Sequence, residues 1–151
     1  MNETLKLYGL YEYDFDAWLH EQIMLLRNGQ VEALDLTHLA EEMDGLAARN
    51  RREIRNRLRV LLMHLLKWHV QYPLRSVSWR LTINEQRRQL NDIFAESPSL
   101  RSYPEQVFAE CYRQAKDKAV EETGLLQPSF PEDPPFTLEQ ILTEDFWPDY
   151  V

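Results

Sequence analysis

Arg57 and His64 are the residues in this chain whose types and spacing come nearest to doing chemistry. Six residues separate them, so on a helix they stand two turns apart on nearly the same face. A histidine titrates near neutrality and can take or give a proton, and a guanidinium matches phosphate geometry bidentately. The same spacing arises by chance in any arginine-rich helix, where it leaves a flank histidine beside an exposed arginine.

The segment around them is arginine-rich. Arg49, Arg51, Arg52, Arg55, Arg57 and Arg59 fall within three turns, and Arg75, Arg80, Arg87 and Arg88 follow. From Arg49 to Arg88 there are eleven bases and two acids, a local charge of +9 inside a chain whose total is −8. The remainder therefore carries −17. A basic middle between acidic ends has two physical readings. The arginines track a phosphate backbone or an acidic partner, or they pair with the chain's own acids, such as Glu41, Glu42, Asp117, Glu121 and Glu122.

Metal chemistry finds little support. His38 stands three and four residues before Glu41 and Glu42, but helical di-metal sites place Glu before His and repeat the motif. His64 and His69 diverge around the axis by roughly 140°. No metal site and no cofactor is expected. His69 sits among Leu62, Leu65 and Trp68 and reads as a hydrogen-bonded core histidine. Cys111 lies on an apolar stripe and reads as core, because a reactive thiol needs exposure and positive surroundings. Asp16 and His20 form a helix-supporting pair. Trp18, Trp68 and Trp79 fall on apolar stripes. Trp147, in the tail, is the tryptophan most available to a partner.

The elements that must position these residues are helices. Asp14 caps a first helix that Gly29 stops, with Phe15, Trp18, Leu19, Gln22, Leu25 and Leu26 on one stripe. Asp35 caps a second, running from Leu36 to Tyr72 with Gly45 as its weak point and Pro73 as its end. Ile54, Leu58, Leu61, Leu62, Leu65, Trp68, His69 and Tyr72 share a face of it. A third helix spans Ser78 to Glu96, with Trp79, Ile83, Leu90, Ile93 and Phe94 inward. A fourth opens at Ser102 and closes at Gly124, with Val107, Phe108, Cys111, Ala115 and Ala119 inward. Residues Gln127 to Phe136 hold four prolines and form a connector. Thr137 caps a short helix, and Phe146, Trp147 and Tyr150 dock the tail. The expected fold is all-α, a helical bundle of four main helices with a short C-terminal helix and docked tail.

With 151 residues the length suits a single domain over 1–151. One cysteine suits a reducing compartment. The N-terminus lacks a basic start with an apolar core, and the longest apolar run, near Val60 to Leu66, falls well short of a membrane span. A cytoplasmic protein that does not enter the membrane is expected.

Several segments occur in a fixed order: YEYDFDAWLHEQIMLLRNGQ, LDLTHLAEEMDGL, RLRVLLMHLLKW, RSVSWRLTINEQRRQL, SPSLRSY and ETGLLQPSFPEDPPFTLEQILTEDFWP. In that order the chain resembles the bacterial domain-of-unknown-function family 29, from about Tyr11 to Pro148. HLLKW and SWRLTINEQR are the most specific parts. The resemblance implies a compact helical fold and no activity. By analogy alone, helical ribonucleases of the HEPN type use an Arg and a His spaced much as Arg57 and His64 are.

No converged polar site is legible, so the leading expectation is a non-enzymatic protein-interaction or self-association domain. Binding of nucleic acid or an acidic partner through Arg49, Arg51, Arg52, Arg55, Arg59, Arg75, Arg80, Arg87 and Arg88 is the alternative. A ribonuclease using Arg57 and His64 is the third reading.

Overall fold

Asp14 starts the first long helix by accepting from the amide of Ala17 at 3.0 Å, which satisfies one of the donors that a helix start leaves unpaired. The computed structural model describes residues 9–149. In it a helical turn over residues 9–13 leads into α1, Phe15–Arg27. Gly29 follows with φ +69°, a left-handed conformation that glycine adopts without steric cost. Four further helices follow: α2, Leu36–Val70; α3, Val77–Glu96; α4, Tyr103–Thr123; and α5, Leu138–Leu142. No strand occurs among the described residues. The protein is all-α, with four long helices among the described residues, as its apolar spacing implies.

Local sequence explains most boundaries. Asp35 caps α2, accepting from the amide of His38 at 3.3 Å. Gly45 does not interrupt that helix, which is continuous. The expected end at Tyr72 is two residues late, because Tyr72, Pro73 and Leu74 form a 3-10 turn as Pro73 removes a donor and disfavours helix before it. Ser76 caps α3 through the amide of Trp79 at 3.2 Å. Gly124, at φ +72°, closes α4 with its N–H on the carbonyl of Val120. Thr137 and Gln140 form a reciprocal capping box at α5, satisfying two amides at once.

The chain divides into two compact units, residues 1–48 and residues 49–151. In the first, Trp18, Gln22 and Leu25 of α1 are buried. The second is built round α2, where Leu61, Leu62, Leu65 and Leu66 are all fully buried. Neighbouring positions point about 100° apart on a helix, so such a run makes the segment central. Ile83, Leu90 and Phe94 of α3 pack on it, as do Cys111, Tyr112, Ala115 and Ala119 of α4 and Ile141 of α5. Each fully buried Leu or Ile is worth about 1.5–3 kcal/mol over leaving it exposed. The tail docks within this unit: Phe146 and Trp147 pack on the same core. Tyr150 lies outside the described residues.

Candidate functional site

Asp35 organises the amino-terminal unit. Its carboxylate accepts from Nε1 of Trp18 at 3.0 Å and from Nδ1 of His38 at 2.6 Å, and its own amide donates to Oε1 of Gln22 at 2.8 Å. Burial pushes this carboxyl up, but the bonds from the His38 ring, Trp18 and the His38 amide outweigh it and hold the group below the usual carboxylate range. Tyr11 stacks on the His38 ring at 3.9 Å between centroids and donates to Glu42. That bond, chiefly, pushes the phenol up to about 12. Tyr11 thus meets Glu42, Trp18 lies edge-on to His38, and Gln22 meets Asp35. The pairs step in opposite directions along the chain, so α1 and the start of α2 run antiparallel.

This arrangement leaves a face uncovered. On α1 the apolar stripe is wider than the buried surface: Trp18 is fully buried, but Phe15 is 45% and Leu26 51% exposed, with Leu19 and Ile23 half-buried beside them. On α2, Leu36, Met43 and Leu46 are 67%, 64% and 55% exposed. Viewed from its N-terminus, a right-handed helix advances clockwise by about 100° per residue. The open α1 strip then lies roughly 50–130° clockwise of the buried Trp18–Gln22–Leu25 line. The open α2 strip lies about 50–130° clockwise of Asp35, His38 and Glu42, which face α1. In antiparallel helices the same rotational sense brings both strips to one side. The result is one apolar face on a unit whose residues 9–48 hold nine acids and one base, a charge of −8.

In the second unit most of the arginines are engaged. Arg87 is fully buried. It donates to the carbonyls of Ile141 at 2.7 Å, Glu144 at 3.2 Å and Phe146 at 2.7 Å, and stacks under Trp147. Burial lowers it to about 10. Arg75 donates to the carbonyls of Trp68 and Pro148 and lies over the Trp68 and Tyr72 rings. His69 is half-buried, not central to the core as expected, and its Nδ1 donates to the carbonyl of Asp149 at 2.5 Å. Basic side chains therefore hold the acidic tail by its backbone carbonyls, and the Glu144 carboxylate adds charge attraction to Arg87.

The stripe on α2 is likewise tied into its own unit. Arg55 donates to Tyr103, Arg57 to Glu53 and Gln86, and Arg59 to Gln114 and Asn56. Lys67 pairs with Glu122 at 3.1 Å, and Arg88 with Glu85 and Asp92. Arg51 lies over the Tyr103 ring. Arg49, Arg52 and Arg80 are exposed. Arg80 lines an open cleft of about 600 Å³ together with Trp68, Asn84, Arg88 and Trp147, and Glu144 and Asp145 supply opposing charge there.

Arg57 and His64 are not brought into contact. Arg57 faces Glu53 and, on α3, Gln86. His64 donates to its own helix at the carbonyl of Val60, 2.9 Å away, and feels Lys67 and Glu122. Burial holds its ring below the ordinary histidine range. No group of three or more His, Cys, Asp or Glu positioned for a metal occurs among the described residues.

The family model for the domain of unknown function DUF29 matches residues 10–147. The chain belongs to this family. No curated protein and no solved structure matches it. Three of the segments that carry the family resemblance meet at the second unit's tail: Trp68 from HLLKW and Arg87 from the α3 segment both lie against Trp147 of the last, and Arg80 lines the cleft beside them. Lys67 lies over the Trp79 ring at 4.7 Å, and Trp68 lies against Trp147 at 4.7 Å. In this family member Trp68 and Arg87 anchor the fold's closing segment.

Two features of the site lie beyond the caps and stripes that residue order gives. Asp35 reads from the sequence only as a cap, since its reach to Trp18 spans 17 residues. The excess width of the α1 stripe was visible in the spacing of Phe15, Leu19, Ile23 and Leu26, which is a second line beside Trp18, Gln22 and Leu25.

Proposed function

We propose that the protein is a protein-interaction domain working through the open apolar face of its amino-terminal unit. The observation that carries this reading is the exposure of Phe15, Leu26, Leu36, Met43 and Leu46, each 45% or more open, on one side of a helix pair. Single exposed apolar residues are ordinary. A contiguous set on a small unit is the mark of a binding surface. Met43 adds an adaptable, polarizable contact of the kind binding faces use.

A cytoplasmic setting fits the same reading, because the one cysteine is free, as suits a reducing compartment, and a bacterial source is inferred from the family resemblance alone. No helix among the described residues is long and apolar enough to cross a membrane. Two other readings draw less support. Nucleic-acid binding would fall chiefly to Arg49, Arg52 and Arg80, since Arg55, Arg57, Arg59, Arg75, Arg87 and Arg88 hold partners within the chain. A ribonuclease reading draws less support because Arg57 is engaged by Glu53 and Gln86 while His64 donates to Val60 of its own helix.

The test is a photoreactive amino acid placed at position 43 of the full chain in its own cells, with position 139 on α5 as control. Both sites are exposed. Adducts of higher mass from position 43 and not from 139 support the reading. Absence of adducts at 43, or equal adducts at both, sinks it.

A further inference from the structure

The charge of the amino-terminal unit decides what its apolar face would take. Resting on the interaction reading above, we propose that the face docks a basic amphipathic helix of another protein. Residues 9–48 carry nine acids against Arg27 alone, while residues 49–151 hold fifteen acids and fifteen bases. The whole net charge of the chain is thus concentrated on the unit that bears the open face. A second copy is a poor occupant, since it would set −8 against −8 across an interface thinner than a Debye length of about 8 Å. A partner with apolar residues at three- and four-residue spacing and Lys or Arg on its flanks satisfies both the exposed side chains and the field. Lysine and arginine stems would also cover apolar surface while their charged ends meet the acids. The face has the chemistry such a helix needs: Leu36, Met43 and Leu46 along one side and Phe15 and Leu26 along the other, on a unit whose residues 9–48 carry a net charge of −8.

The probe is a fluorescein-labelled Leu/Lys amphipathic peptide about five turns long, read by anisotropy against the full chain. A Leu/Glu peptide of the same pattern is the control. Binding of the Leu/Lys peptide alone is expected. The double variant Met43→Glu with Leu46→Glu adds two negative charges at positions 64% and 55% exposed, so its fold is expected to be intact by circular dichroism. Bulk charge attraction would bind the peptide tighter in that variant. Docking on the face requires binding roughly tenfold weaker or more, and Leu26→Glu should weaken it independently. No binding to the wild-type chain, or unchanged or tighter binding in both variants, overturns the proposal. Sedimentation that finds a two-copy assembly, dissolved by the same substitutions, also overturns it but leaves the interaction reading standing. A monomer with no peptide binding and no cross-linked adducts removes both.

Discussion

The Asp35 carboxylate accepts the indole N–H of Trp18 at 3.0 Å, tying the first long helix to the start of the second across the loop between them. Only Trp18 and Leu25 are buried apolar side chains in that helix. The pairing therefore carries a large share of the unit's order. Asp35→Asn presents an amide where two donors already point, and should cost about 2–4 kcal/mol. Amide exchange over residues 15–27 should accelerate in this variant while exchange in α4 stays unchanged. Equal acceleration in both, or none, contradicts this.

The same group sets a pH dependence. Its folded pKa is depressed, so its stabilisation is present above the unfolded carboxylate value, about 4, and is lost as pH falls through the folded value. His64 adds a second window. Its depressed folded pKa means that stability begins to fall as pH drops below the unfolded histidine value, about 6.5. Urea midpoints measured from pH 7 to 5 should decline in the wild-type chain and decline less in His64→Gln.

Arg87 should be irreplaceable by lysine. An ammonium offers a point charge on a flexible stem and cannot reach three carbonyls arranged around a planar fork. Arg87→Lys should lose about 3 kcal/mol or more and free the tail, seen as faster proteolysis near residues 141–148. A lysine variant as stable as wild type would mean that the carbonyl clamp contributes little.

Gly45 lies inside α2, and a Cβ added there meets nothing within 4 Å. Gly45→Ala should raise stability by roughly 0.5–1 kcal/mol, the usual difference between the two in an open helix interior. Destabilisation would argue against a continuous helix at that point.

Cys111 is 1% exposed and burial pushes its thiol up. It should react with thiol reagents only through opening of the second unit, so labelling and global unfolding should share one denaturant dependence.

Much of this fold is legible from residue order because caps and stops are local. Asp14, Gly29, Gly124 and Thr137 act within a few residues of themselves, and the Leu61–Leu66 run announces a central helix. What is not legible depends on contacts at long separation. Arg87 reads from the sequence as one of the basic residues that could face a partner, and the Ile141, Glu144 and Phe146 carbonyls, more than fifty residues away, explain its burial. Phe15 and Leu26 read as core because periodicity tells which residues share a face, not how much of that face a neighbour covers.

The most direct test of the interaction account is to sequence, by mass spectrometry, the peptides joined to a photoreactive residue at position 43 and at position 46. The account predicts that they come from another protein, from segments carrying net positive charge and apolar residues at helical spacing, and that they vanish when Leu26→Glu is introduced. Adducts to acidic or unpatterned segments, or adducts indifferent to that substitution, would contradict it.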